Sequence, residues 1–237
     1  MKTVFLILAL SLIGAICLAA DPNAPIATQD YKAPIRLACV GDSITFGMTL
    51  AHPALESYPA QLATMLGQKW EVQNFGYSGA TLLNEGDKPY QKQKTFPKAL
   101  SFNPDVVIIM LGTNDSKPEN WRFKEKFAAD YRDLIEKFKA LASKPRIFIC
   151  HPAFVPGEGK YGITDAVVQE EIPVIDAVAK EENVGVIDMH GALVGKGELL
   201  PDNVHPNAGG ANVLAKTAFK ALTGKEFTGD AAADPPP

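Results

Sequence analysis

The 237-residue sequence predicts an α/β fold, a three-layer α/β/α sandwich in which helices cover both faces of a parallel sheet. Short apolar runs typical of strands alternate along the chain with longer stretches that have helical periodicity. Residues 105–111, DVVIIML, are apolar after the first residue, as expected of a strand buried on both faces. The composition agrees, because 46% of the residues are hydrophobic and 21% are charged, which suits one compact domain.

Five runs have the length and composition of strands. The second run, WEVQNF, is more polar than the others and alternates between polar and apolar residues, so we expect it at an edge of the sheet. The five predicted strands are residues 35–40, 70–75, 105–111, 146–150 and 184–188.

Three stretches have helical patterns. Residues 164–183 contain Pro173, which should kink the helix or split it in two. The last stretch, residues 207–224, ends at Gly224 in the position of a C-terminal cap. The clearest helix has an apolar stripe at three- and four-residue steps, which should pack on the sheet. This stripe consists of Phe123, Phe127, Tyr131, Leu134, Ile135, Phe138 and Leu141.

The two ends of the chain lie outside the predicted domain, which is residues 35–224. Residues 1–20 place one lysine before an apolar run that ends in small residues, the layout of a secretory signal peptide. This leader predicts a secreted or periplasmic protein with no stable membrane insertion after cleavage. Residues 21–34 are Pro-rich and predict a linker, and residues 225–237 predict a disordered tail.

The charge balance excludes one class of partner. The formal net charge is −4 and the chain has no block of Lys and Arg, so we expect no nucleic-acid binding. Small neutral or apolar substrates fit this balance better. The sequence has no metal-binding His or Cys spacing and no Gly-rich nucleotide motif, so we expect no metal and no cofactor.

Two cysteines remain outside the leader, Cys39 and Cys150, each within a predicted strand. We interpret both as buried thiols. A disulfide between them would require the two strands to be neighbours with matching side-chain directions.

Polar residues follow several of the predicted strands, where an open α/β sheet places its ligand crevice. Gly41–Asp42–Ser43 follow the first strand, NFGYSGAT includes the end of the second, and GTND follows the third. The segment PDNVHPN comes after the last strand, across a longer loop. Each group alone fits a turn or a helix cap, and Ser43 by itself fits an N-cap. Their joint occurrence on one edge of the sheet indicates a functional site.

These four groups resemble the sequence blocks of the SGNH, or GDSL-type, hydrolases, a family of esterases and lipases. The resemblance covers almost the whole predicted domain. It implies a flavodoxin-like sheet of five parallel strands in the order 2-1-3-4-5. In that order the strands that carry Cys39 and Cys150 are not adjacent, which favours unpaired thiols.

The resemblance implies a catalytic triad in which Ser43 is the nucleophile, His205 the general base and Asp202 the carboxylate that orients His205. Such a set agrees with the chemistry, because a serine hydroxyl needs an imidazole to take its proton and the imidazole needs an acceptor on its other nitrogen. The implied oxyanion hole consists of the backbone N–H groups of Ser43 and Gly79 and the side-chain amide of Asn114.

Other residues have weaker signals. Asp42, His151 and Trp121 are candidate substrate contacts, although His151 fits a loop anchor equally well and Trp121 fits the start of a helix. Ser78, in GYSGA, resembles the nucleophile of a G-x-S-x-G elbow, but Ala80 replaces the final glycine and the preceding strand is the predicted edge.

The sequence therefore predicts a secreted serine esterase that hydrolyses short-chain, acetyl-type esters, first of all those of carbohydrates, through an acyl-enzyme. The expected partner is a small-molecule or saccharide ester. An alternative with the same chemistry is a lysophospholipase or thioesterase that acts on longer acyl chains. An alternative of another class is a non-catalytic carbohydrate-binding domain on the same fold.

Overall fold

The computed structural model describes residues 21–229 and confirms a parallel sheet with helices on both faces. The predicted signal peptide and the end of the predicted tail, residues 230–237, lie outside the described residues. Neighbouring strands are all parallel and follow the order β2-β1-β3-β4-β5. The strands are β1 (Ile35–Gly41), β2 (Trp70–Gly76), β3 (Val106–Met110), β4 (Arg146–Cys150) and β5 (Gly185–Ile187).

The helices within residues 21–229 range from one turn to 18 residues. None of these described helices is both long enough and apolar enough to cross a bilayer. The helices are α1 (Ser43–Phe46), α2 (Pro53–Glu56), α3 (Tyr58–Leu66), α4 (Thr95–Ser101), α5 (Pro118–Trp121), α6 (Phe127–Lys139), α7 (Asp165–Glu182), α8 (Met189–Leu193) and α9 (Ala208–Thr223).

The sheet separates two apolar core layers. Leu37 and Cys39 of β1 belong to a layer with α3, α8 and α9, whereas Ala38 and Val40 belong to the opposite layer with α4, α6 and α7. This alternation follows from the two-residue period of a strand. Every residue of β3 is buried, as its apolar sequence predicts. The three-layer sandwich is therefore confirmed.

The predictions for β2 and the cysteines agree with this arrangement. β2 forms one edge of the sheet, with Trp70 and Phe75 buried and Glu71 exposed. Cys39 and Cys150 are both buried and free, and β3 lies between their strands. Burial raises the pKa of Cys39 to about 12, which keeps it a protonated thiol.

Two helices differ in detail from the sequence prediction. Helix α6 begins at Phe127 rather than Phe123, because Lys124–Lys126 form a separate 3-10 turn. Helix α7 runs through Pro173 without being split. Proline removes only one backbone donor, and the helix has buried side chains on both sides of it, Val168 and Val178. Helix α9 ends at Gly224, which has a left-handed conformation (φ 71°), as predicted.

The N-terminal part of the predicted linker packs against the domain. Ile26 is 6% exposed and its N–H donates to the Leu222 carbonyl of α9 at 2.8 Å. Arg146 of β4 donates to the carbonyls of Pro22 and Ala24 at 2.8 and 3.0 Å. The folded unit therefore begins before β1, since Ile26 itself belongs to a core layer.

Replacement of Ile26 with alanine should lower the free energy of unfolding by about 2 kcal/mol, because it removes a buried side chain that fills the end of a core layer. Urea unfolding measures this change. Val194→Ala is the control, since Val194 is 50% exposed and should change the free energy of unfolding by less than about 0.5 kcal/mol. Equal effects of the two substitutions would show that the N-terminal segment does not stabilise the fold.

Candidate active site

Five of the eight predicted site residues meet at a cavity of about 340 Å³. The cavity lies where β1, β2 and β3 end, the edge at which parallel α/β sheets bind ligands. Its wall includes five of the predicted site residues: Ser43, Gly79, Asn114, Asp202 and His205. A larger groove of about 680 Å³ runs along the β2 edge, and its described lining includes none of these five.

Ser43, His205 and Asp202 form a continuous row of hydrogen bonds. His205 Nε2 lies 2.9 Å from Ser43 Oγ, and His205 Nδ1 lies 2.9 Å from Asp202 Oδ2. An ionised carboxylate only accepts, so these contacts select the tautomer in which Nδ1–H donates to Asp202 and Nε2 accepts from the Ser43 hydroxyl. This is the arrangement in which an imidazole takes a proton from a serine.

The three-residue spacing of Asp202 and His205 fixes their geometry. Asp202 Oδ1 accepts from the backbone N–H of His205 at 2.7 Å and of Val204 at 3.1 Å, which closes the turn. Burial alone would raise the pKa of Asp202, but the hydrogen bonds from the ring and backbone of His205 lower it to about 2. Asp202 is therefore ionised at neutral pH.

The cap of the first helix is Asp42, not Ser43. Asp42 Oδ1 accepts from the N–H of Ile44 at 2.8 Å, so Ser43 is the first helical residue and its hydroxyl is free for His205. Asp42 is 1% exposed and does not line the described cavity. Its carboxylate accepts instead from the Ile44 N–H and the Asn114 side-chain amide. The candidate role as a substrate contact is not supported by this position. Burial raises the pKa of Asp42 to about 6.

Asn114 is oriented by two acceptors. Its side-chain amide donates to Asp42 Oδ2 and to the Ala80 carbonyl, both at 3.2 Å. These distances are at the long end of the hydrogen-bond range, so donation to an oxyanion would exchange one weak bond for a stronger, charge-assisted one.

Gly79 has φ of 82°, a conformation that favours glycine. A Cβ at this residue would be in tight contact with the Lys88 side chain, whose Nζ would lie 3.2 Å from it. The loop that carries Gly79 is held by Asp115, which accepts from the N–H groups of Leu82 and Leu83 at 2.9 and 2.8 Å. Burial raises the pKa of Asp115 to about 7.

His151 does not lie on the described cavity wall. Its Nε2 is 2.8 Å from Asp176 and its Nδ1 is 3.1 Å from Asp188, so both ring nitrogens are engaged at the end of β4. Of the two interpretations of His151, the structure favours the anchor over the substrate contact.

Trp121 is also outside the described lining of the cavity. Its indole N–H donates to Glu170 at 2.9 Å, and its ring packs edge-on against Phe127 at 5.4 Å between centroids. Trp121 ends α5 and is half-buried against the core, so its position does not support a substrate contact.

Ser78, the rival nucleophile, does line the cavity. The imidazole of His205 nevertheless bonds to Ser43, which leaves Ser78 without a described histidine partner.

Sequence reasoning did not identify the cationic residues of the cavity wall. Lys88, Lys117 and Lys160 line it, as does Tyr161, which is 75% exposed. These residues come from loops and from a 3-10 turn at Lys160–Gly162, where neither hydrophobic periodicity nor a short motif marks them.

The parallel 2-1-3-4-5 sheet, with a serine, a histidine and an aspartate joined at its carboxyl edge, defines the class of protein as a flavodoxin-like α/β protein with a hydrolase-type site. The chain belongs to the GDSL-like lipase/acylhydrolase family, whose sequence profile matches residues 39–213. The resemblance found in the four sequence blocks is thus confirmed.

Individual relatives are consistent with this family. The chain is 40% identical, over 209 residues, to an acetylxylan esterase of Xylanibacter ruminicola, covering 79% of this chain and 43% of that protein. It is 23% identical to a multidomain esterase of Ruminococcus flavefaciens, covering 86% of this chain and 30% of that protein. The chain therefore spans less than half the length of these two curated relatives.

Solved structures of similar fold include an acetylxylan esterase from Geobacillus stearothermophilus. It has 26% identity and a TM-score of 0.64, covering 82% of this chain and 96% of that one. A protein described as a putative arylesterase from Agrobacterium tumefaciens has 25% identity and a TM-score of 0.64. The match covers 79% of this chain and 98% of that one.

Replacement of Asp202 with asparagine should lower the free energy of unfolding at neutral pH, and this loss should shrink as the pH falls. The folded pKa of Asp202 is about 2, below its unfolded value, so the carboxylate stabilises the fold above about pH 4 and ceases to do so near pH 2. Urea unfolding of both proteins across this range measures the difference. A difference that stays constant with pH would contradict the lowered pKa.

Proposed function

We propose that the protein is a serine esterase that removes short acyl groups, acetyl above all, from carbohydrate esters through a Ser43–His205–Asp202 triad. The observation that carries this proposal is the row of hydrogen bonds, each 2.9 Å, that joins the three side chains beside the cavity. The family supports ester hydrolysis, and the 40% identical relative named an acetylxylan esterase supports an acetylated carbohydrate.

The first half of the proposed reaction forms an acyl-enzyme. His205 Nε2 takes the proton of Ser43 as Oγ attacks the ester carbonyl, and the negative charge develops on the carbonyl oxygen. The N–H groups of Ser43 and Gly79 and the amide of Asn114 are the proposed donors to this oxygen. The intermediate collapses when the C–O bond to the alcohol breaks and His205 returns the proton to the leaving oxygen.

The second half releases the acid. A water molecule gives a proton to His205 and its oxygen attacks the acyl carbon, which forms a second tetrahedral intermediate with a hydroxyl in place of the alcohol. The bond to Ser43 Oγ then breaks, and the proton on His205 returns to that oxygen. Asp202 stays ionised throughout and stabilises the imidazolium that forms twice in the cycle.

The cavity supports a short acyl group. A long acyl chain needs a continuous apolar groove beside the nucleophile, whereas this wall combines the apolar Met48, Ile163 and Val204 with lysines. A volume of about 340 Å³ is at the small end of the range for ligand cavities, which suits an acetyl group with one sugar ring. This observation favours acetylesterase over lysophospholipase or thioesterase activity.

We also propose that the protein is exported, either secreted or periplasmic. The support is the leader-like composition of residues 1–20, which lie outside the described residues. A polysaccharide ester would be met outside the cytoplasm, which agrees with this location.

Ser43→Ala should lower kcat on 4-nitrophenyl acetate by at least about 10³-fold, because the nucleophile is lost while the fold is retained. Mass spectrometry after rapid quenching should find one acetyl group on the wild-type peptide that contains Ser43. Ser78→Ala is the matched control, and its acetyl group should still be on Ser43. Retention of activity in Ser43→Ala, or acetylation at Ser78, would contradict the assignment.

The wild-type protein should hydrolyse 4-nitrophenyl acetate with a higher kcat/KM than 4-nitrophenyl octanoate, because lysines and other polar side chains stand among the apolar residues of the cavity wall, so an eight-carbon chain would desolvate them without replacing their polar contacts. Initial rates on both esters, below the micelle-forming concentration of the octanoate, measure the ratio. A preference for octanoate would overturn the acetylesterase proposal and favour the longer-chain alternative.

A further inference from the structure

The catalytic cavity has a local charge opposite to that of the whole chain. The formal net charge of the protein is −4, yet three lysines lie on the cavity wall, Lys88, Lys117 and Lys160. Asp202 is the sole carboxylate on the described wall, and its bond to His205 already occupies one oxygen. A cavity built only for a neutral sugar ester has no evident need for this excess of ammonium groups.

Two of the three lysines have carboxylate partners. The Nζ of Lys117 is 3.1 Å from Asp87, and its side chain is largely buried. The Nζ of Lys160 is 3.4 Å from Asp202, and its side chain is exposed. Lys117 is thus neutralised within the wall, whereas Lys160 shares a carboxylate that His205 also uses.

Lys88 differs from both. Its Nζ donates to the Ser78 carbonyl at 3.4 Å, a long contact, and lies 5.9 Å from the centre of the Tyr77 ring. The adjacent carboxylate, Asp87, bonds to Lys117 and Asn120 instead. Among the described residues, Lys88 therefore has no carboxylate within ion-pair distance.

The position of Lys88 is close to the reaction. Its side chain covers Gly79, and its Nζ would lie 3.2 Å from a Cβ at that residue. Gly79 is a proposed oxyanion donor, so this ammonium lies on the same wall as the proposed oxyanion hole and beside one of its donors. An anionic group on a bound substrate would gain a charge-assisted hydrogen bond here without having to displace a protein carboxylate.

We propose that Lys88, with Lys160 as a second ammonium on the same wall, recognises a carboxylate carried by the saccharide. The substrate class is therefore acetyl esters of acidic sugars, in which a uronate lies near the acetylated hydroxyl. This inference rests on the proposed esterase function, and it makes Lys88 a specificity-determining residue. The acetyl group is uncharged, so the anion has to belong to the alcohol.

The test uses two singly O-acetylated methyl glycosides, of glucuronic acid with its carboxylate free and of glucose, which are acetylated at the same hydroxyl and differ only at C6, a carboxylate in one and a hydroxymethyl group in the other. Release of acetate at low ionic strength gives kcat/KM for each. The wild-type protein should prefer the glucuronide by about five- to tenfold, with the gain mainly in KM, and added NaCl should reduce this preference.

Three variants assign the preference to Lys88. Lys88→Gln should bring the two kcat/KM values together, and Lys88→Arg should keep the preference because it keeps the charge. Lys92→Gln is the matched control and should keep the wild-type ratio, since Lys92 is outside the described cavity wall and its Nζ bonds to the Asn84 carbonyl.

The outcomes separate the two proposals. Release of acetate at equal rates from both sugars would overturn the inference and leave the esterase function standing. If Lys88→Gln lowers kcat/KM equally for both sugars, the inference is also overturned, because Lys88 would then act on the oxyanion alone. If the wild-type protein hydrolyses neither of the two sugars and does not hydrolyse 4-nitrophenyl acetate, both the inference and the esterase proposal are overturned. If Lys88→Gln does not fold, the wild-type preference and its salt dependence decide.

Discussion

The imidazole of His205 joins two distant parts of the chain, and the proposed function depends on this connection. Ser43, at the end of β1, is 162 residues away from His205 in sequence, yet the two side chains are 2.9 Å apart. The interior position of β1, between β2 and β3, fixes the serine. The turn from Asp202 to His205, closed by two backbone hydrogen bonds to the carboxylate, fixes the base.

Buried carboxyl groups beneath the cavity support this arrangement at a cost in stability. Asp42 orients Asn114, and Asp115 holds the loop that carries Gly79. Burial raises the pKa of both aspartates.

Glu171 of α7 is fully buried, and burial raises its pKa well above the usual range. Neither of its carboxyl oxygens has a hydrogen-bond partner among the described residues. A Cβ at Gly112 would overlap that carboxyl group, which explains the glycine. Unsatisfied buried polar groups destabilise a fold, so they are typically found where function requires them.

The sequence contained most of the fold and the centre of the site. Apolar runs such as residues 105–111 mark buried strands, because a strand covered on both faces excludes polar side chains. The motifs with Ser43 and His205 follow strand ends or short turns, so local chemistry reveals them. The sequence could not place Trp121 and His151, because their side chains bond to residues 49 and 25 positions away, Glu170 and Asp176, and no local motif shows those pairings. Lys88 belongs to a loop, and only the folded chain shows that it covers Gly79.

A crystal structure of the protein after reaction with an organophosphonate ester would test the central claim most directly. The account predicts phosphorus bonded to Ser43 Oγ, His205 still bonded to Asp202, and the phosphonyl oxygen within hydrogen-bond distance of Gly79 N and Asn114 Nδ2. Phosphorus on Ser78, a phosphonyl oxygen turned away from both donors, or no adduct on folded protein would contradict it. The last result would favour a carbohydrate-binding domain that keeps this fold without catalysis.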